Sequence, residues 1–293
     1  MKKNVGFLYT IPQIIWLAVF FAAPLGIIVV YSFLKKGLYG GVEPVFTLEA
    51  YQAMANPNIF IVTWRTLEIS IIATLLTILI ALPVGYSIAR SQNQALRLFL
   101  VIVPFWTNFL VRIYAWIAIL GNEGFLNDIL RALGLTTDGI QFLYNRTAVI
   151  LVLVYMYLPY AILPLFSTID KFDFTLLDAA RDLGATRFQS YTRVLLPNIR
   201  SGLVTAGLFT FVPIFGAYAV PLLVGGKDSY MLGNIIADQL TKTRNWPLAS
   251  AISMTVTILT TGLVFLTVMR KPKEQKKVFD MDPSIAGQTG GAA

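Results

Sequence analysis

Hydrophobic and polar positions alternate on a long scale along this chain. Apolar runs near 11–33, 66–89, 98–120, 147–168, 201–224 and 247–269 are separated by polar stretches. Each run holds about 20 residues or slightly more, the length a helix needs to cross a bilayer. The pattern predicts an all-α, polytopic membrane protein with six transmembrane helices. It divides the chain into an N-terminal helix with a first outer loop (1–65), a core of five helices (66–270) and a tail (271–293) expected to lack fixed structure. The first run follows Lys2 and Lys3. Its apolar stretch is too long for a signal-peptide core and no clear small-x-small cleavage site follows, so a retained anchor is expected.

The one long polar passage between two apolar runs, LLDAARDLGATRFQSYTRVLLP (Leu176–Pro197), carries its own helix punctuation. Thr175 is placed to cap a first helix and Gly184 to end it in a left-handed conformation. Thr186 and Gln189 form a capping box that opens a second helix. On the first helix Leu176, Leu177, Ala179, Ala180 and Leu183 share an arc, with Asp178, Arg181 and Asp182 opposite. A helix of about two turns is marginal alone in water, so this one is expected to dock against a partner or lie on the membrane surface.

Charge sets an orientation. With both termini inside, 14 of the 23 Lys and Arg fall on inside segments and 8 outside, leaving Arg112 within a span. The positive-inside rule then puts the Asp178 loop in the cytoplasm. The net charge of +8 is spread along loops between apolar runs, which speaks for membrane topology and against nucleic acid. Composition agrees: 56% of residues are hydrophobic and 13% charged, where a soluble domain has roughly a quarter charged. With no Cys and no His, the chain lacks thiolate ligands, Cys nucleophiles and the commonest general base. No cluster of carboxylates, Lys, Tyr or Ser/Thr suggests a membrane enzyme, and no inverted halves suggest a secondary transporter. No metal site is expected.

Ionisable and aromatic residues within the runs are the candidates for a translocation path. Glu68 and Arg112 lie in the outer halves of antiparallel spans, where an ion pair is geometrically open to them; alternatively Glu68 lies on the path and attracts a cation. The third run holds Phe105-Trp106-Thr107-Asn108 and Tyr114-Ala115-Trp116, and the fourth Tyr155-Met156-Tyr157-Leu158-Pro159-Tyr160. Aromatics in spans serve as interfacial belts, as packing, or as faces that attract an ammonium. The fifth run is interrupted by Pro213, Gly216 and Pro221. Broken helix is tolerated beside protein or a water-filled cavity, so Phe215 and Tyr218 are candidates for a gate; a plain proline kink accounts for the same pattern. The outer loops 34–60, 121–146 and 225–246 offer surfaces for an external partner or serve as connectors. No phosphate-cradling G-x-x-x-x-G-K-[ST] loop occurs, so any ATP hydrolysis must belong to another polypeptide.

Asp178-Ala179-Ala180, Gly184 and Val194-x-Leu196-Pro197 resemble the EAA loop of ABC importer permeases, with Asp178 for Glu and Val194 for Ile. VPFWTNFLVRIYAW (Val103–Trp116), GFLNDILRALGL (Gly124–Leu135), LLVGGKDSYMLGNIIADQL (Leu222–Leu240) and RNWPLASAIS (Arg244–Ser253) are similar to spermidine/putrescine permeases. Importers of ferric iron, thiamine, phosphonates and opines share much of this framework. The resemblance implies the type I ABC importer permease fold in a bacterial cytoplasmic membrane. It also implies partners: two copies of a cytoplasmic ATPase that carries ATP and Mg, a second homologous permease or another copy of this chain, and an extracytoplasmic substrate-binding protein. No cofactor is then bound by this chain. Residues 176–197 become the coupling element, and Glu68, Asn108, Tyr114, Trp116, Phe215 and Tyr218 candidates for the path or gate.

Overall fold

The computed structural model describes residues 5–269; Lys2, Lys3 and the tail over 271–293 lie outside the described residues. The chain divides at Val256 into two units. Of the second, residues 257–269 are helical.

The order of elements is a long first helix α1 (Tyr9–Ser32), a hairpin β1 (Leu34–Lys36) and β2 (Val42–Phe46), and a short α2 (Glu49–Met54). Then come α3 (Pro57–Ala89), α4 (Gln94–Ile102), α5 (Phe109–Leu120), α6 (Phe125–Ala132) and α7 (Arg146–Ile169). The polar passage holds α8 (Thr175–Asp182) and α9 (Arg187–Asn198), which meets α10 (Arg200–Phe215) at 73°. The chain ends with α11 (Ala219–Leu223), α12 (Leu232–Thr241) and α13 (Trp246–Met269). Among the described residues five helices are long and apolar enough to cross a membrane, and the bent pair α9–α10 brings the number to six.

Four local departures from the sequence pattern have physical causes. The loop after α1 is a small antiparallel hairpin, turned at Gly40 and Gly41, whose φ angles of 97° and 79° suit glycine. The second span starts at Pro57, earlier than the apolar run, because Asn56 caps it by accepting from Asn58 N at 2.9 Å and Pro57 suits the first helical position. The third run is two helices. A 3₁₀ turn over Val103–Trp106 ends the first stretch, and Asn108 starts α5 by accepting from Leu110 N at 2.8 Å. The fifth run is helical only to Phe215; Gly216 ends α10, and α11 follows after a break.

The centre of the first unit is a kernel of α3, α7 and α10 packed on one another. One apolar core gathers Ile69 and Ala73 of α3, Val149, Val152, Leu153 and Met156 of α7, and Ile214 of α10. A second, toward the other end of α7, gathers Ala81 and Ile88 with Ala161, Ile162, Leu165, Ile169 and Ala206. Lipid supplies no hydrophobic drive between spans, so small residues that allow backbones close together do the joining. A Cβ on Gly202 of α10 would lie 2.4 Å from Thr168 Oγ1 and 2.7 Å from Thr168 Cβ, and one on Gly85 of α3 3.3 Å from Phe166 N. By contrast, the most apolar stretch of α1 has no buried residue, as expected of a helix surrounded by lipid or by another subunit.

Candidate functional site

The polar passage folds as two capped helices. Asp173, rather than Thr175, supplies the first cap: its Oδ1 accepts from Thr175 N at 3.0 Å and from Thr175 Oγ1 at 2.7 Å. Those two bonds, the hydroxyl's being the larger effect, hold the Asp173 carboxyl below its usual range. At the other end Gly184 has φ 88°, Gly184 N donates to Arg181 O at 2.9 Å and Ala185 N to Ala180 O at 3.0 Å. This is a Schellman closure. The capping box closes with Thr186 N to Gln189 Oε1 at 2.9 Å and Gln189 N to Thr186 Oγ1 at 3.2 Å.

The expected apolar arc of α8 is split. Leu177 turns into the protein and is buried, whereas Leu176, Ala179 and Leu183 face out. Leu183 is 89% exposed, and Phe188, the second residue of α9, is 77% exposed. Asp178 is exposed and reaches only Arg181, at 3.4 Å. Of the residues carried over from the EAA pattern, Asp178, Ala179, Gly184 and Pro197 are exposed; Ala180, Val194 and Leu196 are partly buried. Val194 and Leu196 pack on the second core, together with buried Leu177, Leu195 and Ile199. The motif thus has two halves, one presented outward and one anchored.

The anchor is aromatic as well as aliphatic. Tyr86, near the end of α3, meets Phe174 edge-on at 5.8 Å and Tyr191 at 5.2 Å, and the Arg90 guanidinium lies 5.1 Å from the Phe174 ring. Edge-to-face pairs add about 0.5–1.5 kcal/mol each beyond the area they bury. These contacts join the polar passage to α3, and α9 continues from it into α10.

At the opposite end of the kernel, Glu68 pairs with Arg146, 2.5 Å away, and not with Arg112. The Arg146 backbone N–H donates to Asp228 Oδ2 at 3.2 Å, and Arg65 Nη1 to Lys227 O at 2.8 Å. Arg112 instead lies over Phe105 (4.8 Å), which sits across the break, and Phe109 (5.9 Å), three residues before it on the same helix. Asn108 is spent on capping α5; Tyr114 is exposed; Trp116 packs edge-on against Tyr155 at 5.4 Å. Phe215 is buried with Leu232, Leu248 and Ile252 and stacks on Phe211 at 5.5 Å. Tyr218 stands in the break after α10, 43% exposed. Sequence reading missed what holds that break open: buried Asn234 donates to Tyr218 O at 3.2 Å and accepts from Met231 N at 3.1 Å, while Thr66 Oγ1 accepts from Leu232 N at 2.9 Å. Buried Thr and Asn in a membrane protein are the signal that could have found it. Among the described residues no group of three or more His, Cys, Asp or Glu is placed to hold a metal ion.

Comparison with known proteins gives three findings. Residues 4–271 match the family described as binding-protein-dependent transport system inner membrane component. The chain is 36% identical over 269 residues to the spermidine/putrescine transport system permease protein PotB of Escherichia coli (strain K12), covering 91% of this chain and 98% of that one. It is 39% identical over 253 residues to the protein of the same name in Haemophilus influenzae, covering 86% and 88%. Among solved structures, a chain of a bacterial alginate ABC transporter in complex with alginate pentasaccharide-bound periplasmic protein superposes with a TM-score of 0.73 at 16% identity, over 90% of this chain and 93% of that one. The last likeness concerns the fold.

Proposed function

The chain belongs to the binding-protein-dependent transport system inner membrane components, and on that premise we propose that it is the permease subunit of an ATP-driven importer whose solute is a polyamine of the spermidine/putrescine class. The solute rests on 36–39% identity to spermidine/putrescine permeases along most of the chain. The coupling role rests on one observation: an apolar hook of Leu176, Leu183 and Phe188, held out by a closed Schellman turn on a buried anchor.

In this reading residues 170–200 and both termini are cytoplasmic, and the hook sits in a groove of one of two ATPase copies. A loaded external binding protein docks on the opposite face, and ATP closes the ATPases. That closure moves α8, and with it Tyr86 of α3 and the bent α9–α10 pair. A cavity between this permease and a second one, homologous or identical, then opens in turn to each side. ATP favours one of the two states only by binding it more tightly, and its hydrolysis on the ATPase resets the cycle. Asn108, Tyr114 and Tyr218 border the path, with Trp116 and Phe215 shaping it from behind. Because Arg146 already neutralises Glu68, the aromatic faces supply most of the attraction for an ammonium, worth about 0.5–2 kcal/mol per contact.

Purification of the tagged chain from its native membrane tests the assembly. An ATP-hydrolysing chain is expected to co-purify with wild type and to be lost from Leu183→Asp, with the second permease retained. A Leu183→Asp complex that keeps its ATPase and full uptake would overturn the coupling role. Uptake measured with spermidine, putrescine, ferric iron, thiamine, a phosphonate and an opine decides the solute.

A further inference from the structure

α3 and α4 flank an open groove of about 370 Å³ lined by Pro83, Val84, Ile88, Leu100 and Val101, with Ser87 and Arg97 as its polar members. Its two polar members and Ile88 lie near the turn that joins the two helices, and its other apolar members lie farther from that turn. Ser87 and Arg97 lie at the end where α3 finishes and α4 begins. Pro83 and Val101 lie one turn deeper, about 6 Å at 1.5 Å per residue.

Arg97 is fixed at the mouth by donating from Nη1 to Ser87 O at 3.0 Å and to Ser87 Oγ at 2.9 Å. Neither partner carries a charge, and no ion pair of Arg97 occurs among the described residues. The acid nearby in the fold, Asp170, accepts from Gln94 Nε2 at 2.9 Å. Arg90, which ends α3, is likewise met by a hydroxyl (Tyr86, 3.5 Å) and by the Phe174 ring. The mouth is therefore cationic and the floor apolar.

We propose that this groove is a binding site for one anionic phospholipid, its phosphate on the Arg97 guanidinium and an acyl chain against Pro83, Val84, Leu100 and Val101. A guanidinium suits phosphate oxygens, and the single polar rim followed by an apolar floor matches a lipid entering from the membrane surface. The bound lipid wedges between α3 and α4 beside Tyr86 and Arg90, where the 170–200 loop is anchored, and so sets how firmly that anchor is held. Which leaflet supplies it rests on the cytoplasmic placement of that loop; the site itself does not.

The test is native mass spectrometry of the complex as purified in mild detergent, counting phospholipids on this chain. Wild type is expected to retain phosphatidylglycerol in preference to phosphatidylcholine when both are supplied in nanodiscs. Arg97→Gln is expected to cut that retention about fivefold, the equivalent of ~1 kcal/mol, and Arg97→Lys to restore most of it. Leu100→Trp fills the floor and is expected to lower retention with the arginine intact. Equal retention by Arg97→Gln, equal retention by Leu100→Trp, or no preference for the anionic lipid would each overturn the proposal. So would a photo-cross-link from position 100 to the second permease in place of lipid. The count is made whether or not an ATPase co-purifies, so its failure is separate from a failure of the transport reading.

Discussion

Gly184 is the residue on which the outward hook turns. Its φ of 88° is open to glycine and strained for other side chains, while a Cβ there would meet nothing within 4 Å. The cost of substitution is therefore conformational: Gly184→Ala is expected to destabilise the loop by about 1 kcal/mol, and Gly184→Asn, which tolerates the left-handed region, by less. Gly184→Asp adds a charge beside exposed Leu183, so a folded, membrane-inserted protein that no longer imports is the expected result. Uptake together with protein level distinguishes the three. Glu68→Gln tests the path role differently, because in this structure Glu68 is paired with Arg146. Both side chains are partly exposed, so after solvent screening the melting-point loss should reflect about 1 kcal/mol or less. Polyamine uptake in the folded variant should be unchanged; a loss would return Glu68 to the path.

At the level of elements, the contact of α10 with α7 depends on Gly202. Gly202→Ala would drive a methyl into Thr168, whose Oγ1 and Cβ lie 2.4 and 2.7 Å from the site. Overpacking of this kind costs about 1–3 kcal/mol, and a lower melting temperature of the purified complex measures it; Gly202→Ala with Thr168→Ala, which removes the nearest atom Oγ1, should recover part. α12 carries a pH-dependent tie outside the spans. Tyr230 donates to Asp238 and Lys242 Nζ lies 2.8 Å from the same carboxylate. The Lys242 hydrogen bond first, then the Tyr230 hydroxyl, hold the Asp238 carboxyl below its usual range. Burial first, then Asp238, pushes the Tyr230 hydroxyl up. A depressed carboxyl contributes fully above its ordinary pKa, about 4, and loses the contribution as pH falls through the folded value. A raised phenol contributes fully below its ordinary pKa, about 10, and loses it as pH rises through the folded value. Tyr230→Phe should thus cost about 1 kcal/mol near neutrality after screening, with the difference from wild type shrinking toward both acid and alkali in a thermal melt.

For the whole molecule, the proposed gate at the break after α10 is open to a direct test. The chain has no native cysteine, so a thiol placed there reports alone. Tyr218→Cys, half-open in this state, should label readily, and Phe215→Cys, 6% exposed, slowly. Trapping the ATPase with nucleotide and vanadate should change at least one rate severalfold. Identical rates with and without trapping would count against a gate.

The sequence by itself determined that the chain is a set of apolar helices, the caps at Gly184 and Thr186, and the position of the polar passage along the chain, because hydrophobic period and capping chemistry are local properties. Asn56-Pro57 and Pro104 with Asn108 were equally legible as a helix start and a break, but the apolar runs across them masked the signal. Which residues face outward was decided only in three dimensions. One apolar arc on α8 splits into buried Leu177 and exposed Leu183 because Tyr86, Phe174 and Tyr191 claim one side of it, and Glu68 meets Arg146 while Arg112 lies over Phe105 and Phe109. Pairings of this kind depend on how distant helices meet, and no window along the chain contains that information.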